Sequence, residues 1–161
     1  MKINKKFLAG LLSALVIVNN TGTVFAAESK IVEREKVVVE DGYELRGKVN
    51  IGGKVNIGNN VYSISTCGEG YVYGMNPLFE KPSAYAETIA KSSAYKITAE
   101  CCVNNNGQST STTGVVVLYN TTKARTVRLK ATTSKCVFTG NHTITPTSGS
   151  QTYSASSSCE Y

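Results

Sequence analysis

From Tyr43 to Ile57 the chain alternates without a break. Odd positions carry Tyr43, Leu45, Val49, Ile51, Val55 and Ile57 with Gly47 and Gly53 among them, and even positions carry Glu44, Arg46, Lys48, Asn50, Lys54 and Asn56. A period of two puts these sets on opposite faces of a strand, so the segment predicts a half-buried strand. Strands rarely exceed about 10 residues, which predicts a break or bulge near Gly52 and Gly53, where no side chain resists it. The same stretch contains the duplication GKVNIG, 47–52 and again 53–58. Two copies fall short of the roughly three that a stacked solenoid needs, and a direct repeat lacks the mirrored pattern of a hairpin.

The remaining pattern is also β. Gly68, Gly70, Gly74, Pro77 and Pro82 suggest a loop holding a short strand at Tyr71–Tyr73. From Ala84 onward a strand is predicted in which Tyr95, Ile97, Ala99, Cys101 and Val103 share one face and Lys96, Thr98, Glu100 and Cys102 the other. The turn formers Asn104 to Gly107 end it. Val115 to Tyr119 reads as a more buried strand, followed by strands at Ala124–Thr132, Lys135–Thr139 and Gln151–Tyr161. Turns about every ten residues with no helical period predict an all-β chain, a single antiparallel β-sandwich or open barrel over 45–161. Ahead of it, 27–44 forms a charged N-terminal arm with six acids against Lys30, Arg34 and Lys36. Its Val and Ile content favours an extended over a helical arm.

Charge and targeting then change the picture. Lys2, Lys5 and Lys6 precede the uncharged run Phe7 to Val18, which is too short for a bilayer-spanning helix and has the layout of a secretory signal peptide, 1–26, cleaved after Ala26. Cleavage removes three of the 17 basic residues and none of the 11 acids, so 14 against 11 leaves +3 in place of +6. The short Lys-rich start is of bacterial type, and the mature chain is expected to be secreted, outside the cell.

In an exported protein the five cysteines, Cys67, Cys101, Cys102, Cys136 and Cys159, read first as disulfide partners. Adjacent Cys101 and Cys102 point to opposite faces. Cys101 with Cys159 is the first expected bridge, and Cys102 with Cys136 or Cys67 the second. One thiol is left for burial, a small-molecule cap or an intermolecular link.

Catalytic chemistry finds little support. His142 is the only His and Asp41 the only Asp. The Gly-Asn context of His142 predicts an exposed structural histidine in a turn, and Glu69, Glu87 and Glu100 read as solvated surface carboxylates. A serine-nucleophile elbow, a phosphate-binding Gly loop and paired Cys metal motifs are all missing from the sequence, so no cofactor, nucleotide or metal is expected. Two surface features remain. Lys123, Arg125, Arg128, Lys130 and Lys135 form an acid-free basic cluster suited to an anionic ligand. Tyr71 and Tyr73, two apart, project to one side as an aromatic contact. These features predict a non-enzymatic binding or structural module acting at or outside the bacterial envelope. Its expected partner is an anionic wall polymer, a membrane surface or another protein. The alternative is a small secreted effector, antimicrobial or toxin-like, whose basic half engages anionic surfaces.

Overall fold

A computed structural model describes residues 31–39, 42–52, 54–57, 60–63 and 66–161, with side chains for 43–52 and 66–161. The expected signal peptide, 1–26, and the first residues of the expected arm, 27–30, lie outside the described residues. The strands are β1 Ile31–Val39, β2 Gly42–Ile51, β3 Lys54–Ile57, β4 Asn60–Ser63, β5 Gly68–Pro77 and β6 Ser83–Asn104. They continue with β7 Thr110–Thr112, β8 Val116–Arg125, β9 Leu129–Lys130, β10 Val137–Thr145 and β11 Tyr153–Glu160. Apart from the β3–β4 pair, all belong to one antiparallel sheet of nine strands.

The 22-residue strand β6 organises this sheet. Thr88 pairs with Gly70 of β5 on one edge and with Ala124 of β8 on the other, while Ile97 pairs with Ile144 of β10 and Leu118 of β8. Strands β5 and β10 therefore share an edge of β6, one on each half. A register shift between Ile89 and Ala94 separates the halves. Even positions face inward up to Ala94 (Ala84, Ala86, Thr88, Ala90, Ala94), whereas odd positions do so from Ile97 (Ile97, Ala99, Cys101, Val103). Between the pairs that Ile89 and Ala94 make with β8, β6 advances five residues and β8 two, and an irregularity of this kind disrupts the alternation and bends the strand. Bending folds β1-β2-β5 over β10-β11, making a nearly closed, barrel-like β structure in which β11 lies against β2 and β5.

The long alternating stretch breaks where expected: β2 ends at Ile51, Gly52 takes a φ of 96°, and β3 begins at Lys54. Other expectations are corrected. The Gly-rich loop around Tyr71 is a ten-residue strand, β5, and the strand expected to end at Thr139 runs on to Thr145. Val115, Val117, Leu118 and Tyr119 are exposed rather than buried, because among the described residues the N-terminal half of β8 is an edge that pairs with β6 alone.

Two apolar clusters fill the interior. Val49, Ile51, Ile97, Ala99 and Ile144 centre one, and Val72, Cys101, Val103, Phe138 and Cys159 the other. Between them lies a polar trio, Thr88, His142 and Ser157, all buried.

Candidate binding face

On the outer face of β2, β5 and β6 the register aligns Arg46, Tyr73 and Tyr85 in one row and Lys48, Tyr71, Glu87 and Arg125 in the next. Neighbouring rows carry Glu69, Ile89 and Lys123 on one side and Met75, Ser83 and Lys130 on the other. The basic cluster and the tyrosine pair, far apart in sequence, thus meet on one sheet face. Lys123, Arg125, Arg128 and Lys130 join Tyr71 and Tyr73. Lys135 stands apart in the loop after β9, next to Ser134, which hydrogen-bonds Lys81.

The three rings stack as a column. Tyr71 and Tyr73 have centroids 5.5 Å apart and planes 22° off parallel, and Tyr73 and Tyr85 are 5.0 Å and 25° apart. Guanidiniums cover the column: the Cζ of Arg46 lies 4.5 Å from the Tyr71 centroid and 5.2 Å from that of Tyr73, while Arg125 and Arg128 lie 4.8 and 5.3 Å from Tyr85. Cations over a ring face are held by its quadrupole. The tyrosines therefore act as supports for arginine rather than as open stacking surfaces.

Carboxylates complete the lattice. Glu69 accepts hydrogen bonds from the Tyr71 hydroxyl and from Lys48, at 2.9 Å for the latter. These two donors, Tyr71 foremost, hold its carboxyl below the usual range, while burial, and then the bond to Glu69, push the Tyr71 phenol up. Glu87 is 3% exposed, which overturns its expected place among solvated glutamates, since it receives both Arg125 Nε at 2.5 Å and Lys123 at 3.0 Å. Its bond raises the Arg125 guanidinium. Arg128 donates to Ser83 Oγ at 3.3 Å and has no carboxylate partner among the described residues. A cavity of about 290 Å³ opens between Arg46 and Arg128, bounded by Glu44, Tyr73, Met75 and Tyr85.

Sequence reasoning missed Arg46, Lys48, Tyr85 and Glu87. The polar phase of the 43–57 alternation carried the first two, and an outward tyrosine among small inward residues (Ala84, Ala86) carried the third.

His142 sits mid-strand in β10 and is 1% exposed, so the exposed turn histidine is corrected. Its neighbouring Gly140 serves close packing rather than a turn, for a Cβ there would lie 2.7 Å from the imidazole Nε2. Thr88 donates its hydroxyl proton to the Thr98 carbonyl at 2.6 Å, so its oxygen accepts from His142 Nδ1–H at 2.9 Å. Nε2 then accepts from the Ser157 hydroxyl at 2.8 Å. The Ser157–His142 distance suits a base and a nucleophile. Both groups are sealed from solvent, and a threonine occupies the orienting position.

All five cysteines are thiols, which corrects the expected bridges. Cys101 on β6 and Cys159 on β11 do face the same core, but β10 runs between them. Two strand spacings, about 9.5 Å, exceed the roughly 6.8 Å that a disulfide spans between Cα atoms. Cys102 faces outward near Asn141, whereas Cys136 is buried and Cys67 packs against the inner cluster, so the second pairing is also precluded. Burial pushes the Cys101 thiol up to about 12 and raises those of Cys67, Cys102 and Cys136. Thiol titration is therefore expected to count five groups in denaturant but no more than Cys67 and Cys102 in the native protein; native labelling of Cys101 or Cys136 would contradict the packing.

Among the described residues no group of three or more His, Cys, Asp or Glu is placed to hold a metal ion. No family model, curated protein or solved structure matches the chain.

Proposed function

We propose that the protein is an exported, non-enzymatic binding module that engages an anionic surface of the bacterial envelope through the tyrosine–arginine face of its sheet. One observation carries this reading: two independent sequence features, the basic cluster and the tyrosine pair, converge on a single face, with the cavity between Arg46 and Arg128 at its hairpin end. Rings and carboxylates hold the guanidiniums before any ligand arrives, so less conformational entropy is lost on binding. A planar, permanently charged fork is matched to phosphate or carboxylate oxygens. Glu87 and Glu69 neutralise their own partners, leaving Arg128 to face the ligand.

The test uses residues 27–161, the segment that contains every described strand. It is expected to co-sediment with isolated bacterial envelopes and to be released as salt rises, because exposed charges are screened within about 10 Å at 0.1 M salt. Arg128→Glu should weaken retention about tenfold or more, equivalent to at least about 1.4 kcal/mol. Retention indifferent to salt and to this substitution, or absent altogether, would overturn the reading.

A further inference from the structure

The β5–β6 hairpin ends in Leu78-Phe79-Glu80-Lys81, and its two apolar side chains are 67% and 98% exposed. Tight turns call for Gly, Asn, Asp, Ser or Pro, so local conformation does not account for a Phe standing almost wholly in water. Cations surround it. Lys130 pairs with Ser83 at the base of the hairpin and bonds Glu80 at 2.7 Å, and Lys81 reaches Ser134 at 3.2 Å, bringing the loop of Lys135 alongside. Arg128 lies over Tyr85, two residues from Ser83. The cavity between Arg46 and Arg128 is on this same end of the sheet, for Met75, which lines it, precedes Leu78 by three residues, about 10 Å of strand.

We propose that this end of the protein docks on an anionic lipid bilayer, with Leu78 and Phe79 entering the acyl boundary and the Arg46–Arg128 cavity receiving a lipid phosphate. The inference rests on the reading of the tyrosine–arginine face as a binding surface and names its partner. Interfacial proteins bury apolar side chains about 5–10 Å into the headgroup region while basic residues remain at the phosphates. An apolar tip ahead of five cations (Arg46, Lys81, Arg128, Lys130, Lys135), against the three acids Glu44, Glu80 and Glu160, has this layering. Soluble polyanions offer nothing to Phe79. Nucleic-acid bases and sugar rings require open aromatic faces, and those of Tyr71, Tyr73 and Tyr85 are covered by one another and by arginines.

The chain contains no Trp, so Phe79→Trp in residues 27–161 is a unique reporter. Mixed with vesicles of equimolar phosphatidylglycerol and phosphatidylcholine, its emission is expected to shift to the blue and to be quenched by lipids brominated in the acyl chain. Vesicles of phosphatidylcholine alone and soluble polyphosphate should produce neither effect. Replacing both Leu78 and Phe79 by Ser should weaken binding to the anionic vesicles about tenfold or more, while leaving binding to lipid-extracted envelope polymer as it was. Arg128→Glu should weaken both. Indole emission that is neither shifted nor quenched on anionic vesicles would overturn the bilayer as partner, and if lipid-extracted polymer is still bound, the broader reading of the face survives it.

Discussion

Acidification from pH 7 to 5 is expected to lower the stability of this protein by about 2 kcal/mol through His142 alone. Burial between the two apolar clusters lowers its pKa from 6.5 to about 3. The physical cause is desolvation: the ring meets the Thr88 and Ser157 hydroxyls and a Cβ-free space beside Gly70 and Gly140, with no carboxylate among its hydrogen-bond partners. Because the folded-state value lies below the unfolded one, the unfolded chain takes up the extra proton in the window between them. The stabilising effect of the neutral ring is complete above about 6.5 and is lost progressively as the pH falls toward 3, at a limiting slope of about 1.4 kcal/mol per pH unit. Below about 4.5 the lowered carboxyls of Glu69 and Glu80 add to the same trend. Urea unfolding measured at pH 7, 6 and 5 should reveal uptake of close to one proton, and His142→Gln, less stable at pH 7, should show a flatter profile over this range. A wild-type midpoint that does not move between pH 7 and 5 would place the ring in water, contrary to the packing.

The histidine also marks how far the sequence was legible. Period-two alternation identified β2 and its break at Gly52, and it put Cys101 and Cys159 on inward faces, because each signal is local to one strand. His142 follows Gly140 and Asn141, a pairing that suggests a turn; the glycine is instead required by the imidazole packed over it, a contact visible only once β10 lies between β6 and β11. Val115 to Tyr119 misled in the opposite direction. A continuous apolar run is ambiguous between a strand covered on both faces and an edge strand. The decision is made by what lies beyond β8, and among the described residues no strand pairs with that edge. The binding face was legible in halves. Tyr71–Tyr73 and Lys123–Lys130 were each distinct, but joining them required the β5–β6–β8 register, whose contacts span nearly forty residues (Glu87 to Arg125).

Gly47→Ala is expected to cost about 3 kcal/mol, the upper end of what overpacking usually costs. A Cβ at this position would run into the carbonyl oxygen of Ser158 and lie 2.8 Å from its carbonyl carbon and 3.0 Å from its nitrogen. All three are backbone atoms of β11, so no rotamer change relieves the contact. Strands β2 and β11 would have to separate. Gly107→Ala is the matched control: Gly107 takes a φ of 75° in the turn after β6, with nothing within 4 Å of an added Cβ. It should cost only about 1 kcal/mol, from the left-handed backbone alone. The difference between the two urea midpoints measures how tightly the barrel closes, and equal costs would mean that β2 and β11 do not close it. Function follows from the same contact. Gly47 is flanked on β2 by Arg46 and Lys48, whose side chains point outward while Gly47 abuts β11, so prying these strands apart displaces the guanidinium that walls the cavity. Gly47→Ala should therefore weaken envelope binding along with stability, whereas Gly107→Ala, in an exposed turn where an added Cβ meets nothing within 4 Å, should leave binding unchanged.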